Sequence, residues 1–135
     1  MKELIVKATI DNLDQVLDFV NTELEAIDCP AKTQTQINVI IDELFSNIAY
    51  YSYEEEAGEA IVSFAVREGR TAIILAFSDY GVPYNPLEAE DPDITLGAQE
   101  RGIGGLGIYL VKNMVDDIFY EYKDHKNILT IRKDI

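Results

Sequence analysis

The sequence predicts an α+β fold, a two-layer sandwich in which helices cover one face of a mixed β-sheet. Three observations lead to this prediction. Two segments near the N-terminus carry apolar residues at helical spacing, four later segments have the composition of strands, and a glycine-rich run followed by a further helical segment separates the two pairs of strands. This order favours sorting of the helices and the strands into separate layers.

The first half of the chain predicts a strand followed by two amphipathic helices. The strand is expected from Leu4 to Ile10, and the first helix has its apolar positions from Leu13 to Ile27. Pro30 disfavours helical geometry in the residue before it and therefore separates the helices. The second helix has its apolar stripe from Ile37 to Ile48.

The second half of the chain predicts two β-hairpins around a third helix. The dipeptides "EG" and "DH" suit short hairpin turns between segments rich in β-branched and aromatic residues. An irregular acidic segment is expected from Tyr80 to Glu100, and a helix from about Leu106 to about Val115. The four strand segments read AIVSFAV, TAIILAF, DIFYEYK and NILTIRK.

Length and charge limit the classes of function. A chain of 135 residues predicts a single domain spanning residues 1–135. Its net charge of -14 disfavours direct contact with nucleic acid or an anionic membrane, and favours basic protein partners or anionic ligands masked by a metal ion. No apolar run reaches the roughly 18–20 residues that span a bilayer, so we expect a cytoplasmic protein.

The second helix carries a polar pair beside its apolar stripe. Glu43 and Asn47 are four residues apart and therefore share a helix face. A carboxylate next to an amide oxygen can act as a base beside a ligand for a hard cation such as Mg²⁺. The alternative is an ordinary solvated helix edge.

A second polar feature follows a strand that reads as buried. Asp79 comes just past the strand end, with Gly81 and Pro83 shaping the turn. The carboxylate could accept a hydrogen bond from the amino group of a nucleobase, while Gly81 lets the ring approach. The alternative is a turn aspartate that hydrogen-bonds its own backbone.

The glycine-rich stretch "RGIGGLGIYLVK" opens the third helix. Backbone N–H groups in such a turn, together with a helix N-terminus, can form a cradle for an anion, although the stretch could also be a simple loop. It is not a Walker loop, because no G-K-[ST] sequence follows. The cradle glycines are Gly102, Gly104, Gly105 and Gly107.

Taken together, the order and spacing of these three features resemble the three nucleotide-binding boxes of the GHKL ATPases, whose histidine-kinase-like fold is a two-layer α/β sandwich. The resemblance covers nearly the whole chain. Within that superfamily the sequences "DYGVPYNP" and "GGLGIYLVKNMVDDIFYEY" are similar to those of the anti-sigma-factor serine/threonine kinases.

The resemblance implies a role for each matched residue. Glu43 would be the general base that activates the attacking hydroxyl, and Asn47 would be the Mg²⁺ ligand. Asp79 would accept a hydrogen bond from the adenine amino group of ATP, and Gly81 would leave room for the adenine ring. The four cradle glycines would hold the phosphates and serve as the hinge of a lid.

Other positions implied by the resemblance are less specific. The lid would extend from about Leu87 to Arg101, and Arg101 and Lys112 would lie near the phosphates, although either could be an ordinary surface charge. Tyr51 departs from the pattern, because the serine-kinase branch often has a histidine at this position, four residues after Asn47.

The resemblance implies an ATP-dependent serine/threonine protein kinase and anti-sigma regulatory factor that binds a sigma factor or an antagonist protein. A second hypothesis is a non-catalytic ATP-binding switch module that sequesters its partner. A third hypothesis is an interaction domain that no longer binds nucleotide. Only the kinase needs a competent Glu43. The oligomeric state, including a homodimer, is left open by the sequence.

Overall fold

A computed structural model of the chain describes residues 1–53, 58–88 and 106–135. Within these segments the chain forms five strands and three α-helices, in the order predicted. The strands are β1 (Lys2–Lys7), β2 (Glu59–Val66), β3 (Ala72–Asp79), β4 (Asp117–Lys123) and β5 (Lys126–Asp134). The helices are α1 (Leu13–Ala26), α2 (Ala31–Asn47) and α3 (Leu106–Met114).

The five strands form one sheet in the order β1-β2-β3-β5-β4. The two-layer α+β fold is confirmed, but the expectation of a mixed sheet is wrong, because every neighbouring pair is antiparallel. The reason lies in β5. Strands β3 and β4, joined through α3, run in the same direction, but β5 is inserted between them and is antiparallel to both.

The hydrophobic core lies between the sheet and the helices. Apolar residues of the helices, among them Val16, Val20, Ile41 and Phe45, are fully buried, as the predicted stripes require. They pack against alternate residues of the strands, because successive side chains of a strand point to opposite faces. The buried strand residues of this core include Val62, Phe64, Leu75, Phe77, Leu129 and Ile131.

Two local differences from the predictions have simple causes. The first strand ends at Lys7 rather than at Ile10, because the chain turns there and the Asn12 side chain donates to the Lys7 carbonyl. The predicted hairpin turns are confirmed. Gly69 has φ 76°, a left-handed conformation that glycine adopts readily, and Asp124 and His125 form the second turn at φ 53° and 64°. No helix in the described segments is long and apolar enough to cross a membrane.

Candidate functional site

Glu43 and Asn47 lie in the C-terminal half of α2, one turn apart and both half-buried. The Glu43 carboxylate reaches the start of α3, where it lies directly against Gly107, so that a Cβ at Gly107 would overlap Oε2 of Glu43. The glycine therefore permits a close approach between the two helices. A carboxylate beside the first turn of a helix also interacts favourably with the partial positive charge of the helix N-terminus.

Asp79 is the last residue of β3 and is only 5% exposed. Its Oδ1 atom accepts hydrogen bonds from the backbone N–H of Gly81 at 2.9 Å and from Nδ2 of Asn127 at 3.0 Å. Among the described residues, none donates a hydrogen bond to Oδ2. The bond from Gly81 is the local turn interaction considered above as the alternative for Asp79. Because it uses one oxygen, the turn contact is compatible with a ligand at the other.

The corner after Asp79 packs directly on the end of the α2 segment. After Asn47 the chain continues as a π-helical turn, Ile48–Ser52, a rare geometry that is frequent at functional sites. The Ser52 carbonyl oxygen occupies the place where a Cβ of Gly81 would lie. This contact is a packing reason for glycine at that position, while room for a nucleobase stays a prediction.

Two tyrosines border the buried carboxylate. The Tyr53 hydroxyl donates to the Glu59 carbonyl at 2.6 Å and accepts from the Tyr80 N–H at 2.8 Å. The pKa of Tyr53 is raised, first by burial and further by the negative charge of Asp79. Burial and Asp79 raise the pKa of Tyr120 in the same way. Asp79 thus lies in a partly desolvated environment where both hydroxyls hold their protons.

The structure connects the predicted residues through α2. Its C-terminal half contacts the start of α3 through Glu43, and the turn that follows it contacts the Asp79 corner through Ser52. Lys112 lies half-buried on α3. The other predicted phosphate-binding residues, and the predicted lid from residue 89 onward, lie outside the described residues. These phosphate-binding residues are Arg101, Gly102, Gly104 and Gly105.

Three residues of this site were not predicted from the sequence. Tyr53 and Tyr120 carry no distinctive spacing, and their contact with the Asp79 corner depends on the fold. Asn127 offers a weak signal, because it occupies the first inward position of β5, where Leu129 and Ile131 continue the alternation. A polar residue in an otherwise apolar alternating row indicates a buried hydrogen-bonding partner.

We expect Gly81→Ala to lower the free energy of unfolding by about 1–3 kcal/mol, because the added methyl group would overlap the Ser52 backbone, which cannot rotate away. Gly107→Ala is the matched control. Its new methyl group meets the flexible end of Glu43, and alanine favours the helix, so we expect a loss below about 1 kcal/mol. Chemical denaturation measures both variants. Equal losses would contradict the described corner.

We expect Tyr53→Phe to lower the free energy of unfolding by about 1–2 kcal/mol at pH 7, because the Tyr80 N–H and the Glu59 carbonyl lose their partner. The raised pKa of Tyr53 means that the folded state holds the proton more tightly. The stabilisation that the Tyr53 hydroxyl gives the folded state is therefore fully present below about pH 10, the ordinary pKa of tyrosine. It is lost as the pH rises through the pKa of Tyr53 in the folded state.

Denaturation curves from pH 7 to pH 11 measure this effect, and the difference between wild type and Tyr53→Phe should narrow above about pH 10. Tyr51→Phe is the control, because Tyr51 is 63% exposed, and we expect a change within about 0.5 kcal/mol. A difference for Tyr53→Phe that stays constant over this range would show that folding does not raise the pKa of Tyr53.

Known proteins share both the sequence pattern and the fold. The serine-protein kinases RsbW of Bacillus cereus strain AH820 and Bacillus thuringiensis strain Al Hakam are each 27% identical over 127 residues, covering 93% of this chain and 73% of theirs. The RsbU and RsbW domains of a Mycobacterium tuberculosis protein superimpose with a TM-score of 0.63 at 14% identity, covering 98% of this chain and 32% of that one.

A more distant structural relative is the histidine kinase domain of a blue-light activated histidine kinase from Erythrobacter litoralis. It superimposes with a TM-score of 0.53 at 15% identity, over 95% of this chain and 64% of that chain. The present chain thus spans about a third of the mycobacterial chain and less than two thirds of the Erythrobacter one. The family model described as the histidine kinase-like ATPase domain matches residues 6–133, and the chain belongs to that family.

Proposed function

We propose that this protein is an ATP-dependent serine/threonine protein kinase that also binds a regulatory protein, a sigma factor or an antagonist of one. The observation that carries the nucleotide-binding part is the state of the Asp79 carboxylate. It is buried, its Oδ1 is held by two donors, and no described residue donates to Oδ2. An oxygen in this state suits the amino group of adenine, which donates, and not the carbonyl of guanine.

The residues of α2 fit a magnesium-nucleotide complex by their chemistry. Mg²⁺ prefers oxygen ligands and is usually held by one or two protein groups together with phosphate oxygens and water. Asn47 would supply an amide oxygen from the same helix that carries Glu43. When bound, the ion would offset the charge of the phosphates in a protein whose net charge is -14.

The kinase step rests on Glu43. Its carboxylate lies at the first turn of α3, next to the glycine-rich sequence that is expected to hold phosphates. From this position Glu43 would accept the proton of a serine or threonine hydroxyl on the protein substrate as that oxygen attacks the γ-phosphorus of ATP and ADP leaves. The similarity to RsbW serine-protein kinases over 93% of the chain supports this reaction class.

A second candidate is an ATP-binding switch module without useful transfer activity, which sequesters its protein partner. The specific observation that favours it is Tyr51, which stands where the serine-kinase branch often has a histidine and whose side chain is 63% exposed on the π-helical turn. Both candidates keep the adenine contact of Asp79. They differ only in the need for Glu43.

We expect Glu43→Gln to reduce phosphoryl transfer by roughly 10²–10⁴-fold while Mg-ATP affinity stays within a few-fold of wild type, because the amide keeps the shape but cannot accept the proton. The measurement is transfer of labelled phosphate from ATP to a recombinant candidate antagonist protein, beside an equilibrium ATP titration. Asp42→Asn is the matched control, since Asp42 is exposed on the same helix and loses the same charge.

The result separates the candidates. If wild type binds Mg-ATP but transfers no phosphate to any candidate partner, the kinase proposal is wrong and the switch module is the better description. If Glu43→Gln transfers at the wild-type rate, Glu43 is not the base.

We expect Asp79→Ala to weaken ATP binding by about tenfold or more and to leave GTP binding within about threefold, because the lost acceptor matches adenine only. Fluorescence competition with each nucleotide in the presence of Mg²⁺ measures both affinities. Asp18→Ala is the control, since it removes the same charge from an exposed position on α1. Equal ATP affinity in Asp79→Ala and wild type would contradict the adenine assignment.

A further inference from the structure

Asn127 faces Asp79 across the sheet. The two residues are directly opposite each other in the antiparallel pair of β3 and β5, and both side chains are buried, Asn127 at 8% exposure. Side chains in such pairs lie within direct contact of each other. Because Asp79 ends its strand and Asn127 is the second residue of β5, the pair lies at one edge of the core, beside the corner that follows Asp79.

Both the nitrogen and the oxygen of the Asn127 amide form hydrogen bonds. Its Nδ2 donates to Oδ1 of Asp79 at 3.0 Å and also lies within hydrogen-bond distance of the carbonyls of Val82 and Gly81, at 3.1 Å and 3.3 Å. Its Oδ1 accepts from the backbone N–H of Tyr84 at 3.0 Å and from the hydroxyl of Tyr120.

These partners fix the orientation of the amide. A backbone N–H can only donate and a backbone carbonyl can only accept, so the end of Asn127 that meets Tyr84 must be the oxygen. The nitrogen then faces Asp79 and the carbonyls of Gly81 and Val82. A flipped amide would place like groups against each other at every backbone contact.

We propose that Asn127 is the positioning residue that sets the preference for adenine, by holding Asp79 so that Oδ2 is presented to the base. This inference rests on the proposed nucleotide binding. The hydrogen bonds from Asn127 and Gly81 together occupy Oδ1, which prevents the carboxylate from rotating about its Cβ–Cγ bond. The same amide holds the backbone of residues 81–84, so one side chain sets both the carboxylate and the loop beside it.

These contacts also explain why asparagine suits position 127. An aspartate would direct an acceptor at the Asp79 carboxylate and at two backbone carbonyls. An apolar residue would leave the Tyr84 N–H without its partner and the Asp79 carboxylate with the Gly81 N–H alone, and a buried polar group that loses its partner costs more than the hydrogen bond itself contributes. Only a short side chain with both a donor and an acceptor satisfies all of these groups.

The test is a double-mutant cycle between Asn127→Ala and Asp79→Ala, in which ATP and GTP affinities are measured with Mg²⁺. We expect Asn127→Ala alone to weaken ATP binding by about tenfold and GTP binding by no more than about threefold. In the Asp79→Ala background, Asn127→Ala should change ATP affinity by less than about twofold, because its effect passes through Asp79. Asn113→Ala on α3 is the matched control, since Asn113 is exposed.

Two outcomes overturn the positioning role. Equal losses of ATP and GTP affinity would mean that Asn127 serves the fold alone. A further tenfold loss in the Asp79→Ala background would mean that Asn127 contacts the nucleotide itself. Failure of this proposal differs from failure of the proposed function: if wild type prefers ATP through Asp79 and Asn127→Ala keeps that preference, only the positioning role is wrong.

Thermal unfolding verifies that each variant is folded. If Asn127→Ala does not fold, Asn127→Ser replaces it in the same cycle, because its hydroxyl partly fills the site but is too short to reach Asp79 and the loop carbonyls together. The expected and contradicting results are the same as for Asn127→Ala. Wild type that binds neither nucleotide would overturn the proposed function and this inference with it.

Discussion

A buried carboxylate at the end of β3 is the constraint on which the rest of the site depends. Taking a charged group out of water is costly unless donors replace the lost hydration. For Asp79 these donors are the N–H of Gly81 and the amide of Asn127. The first requires a tight turn that packs on the Ser52 carbonyl, and the second requires β5 to lie beside β3.

The sheet order provides the second of these requirements. If β4 had paired directly with β3, as a simple strand-helix-strand crossover would place it, a different strand would face Asp79. The insertion of β5 brings Asn127 opposite the carboxylate and puts Tyr120 of β4 next to Asn127. Topology and site chemistry are therefore linked, because the strand that makes the sheet antiparallel also carries the side chain that holds Asp79.

Local sequence patterns predicted the helices and strands and suggested the candidate residues Glu43, Asn47 and Asp79, whereas the contacts of Asn127 depend on long-range pairing. The helices followed from apolar spacing, and Glu43 with Asn47 from their separation by one turn. Asp79 followed from its place after a strand. The contact between Asn127 and Asp79 could not be predicted in this way, because it depends on the pairing of β3 with β5 and the two residues are 48 positions apart in the chain. The mixed sheet was wrongly predicted for the same reason.

In the proposed function, the Asp79 corner and the C-terminal half of α2 form one site for a magnesium-bound adenine nucleotide. Calorimetric titration of the full chain with ATP, with Mg²⁺ and then with a chelator, tests it most directly. We expect saturable binding of one ATP per chain that is tighter with Mg²⁺, because Asn47 would supply a ligand to the ion. Absence of saturable binding at millimolar ATP, or an affinity that Mg²⁺ does not change, would contradict the claim.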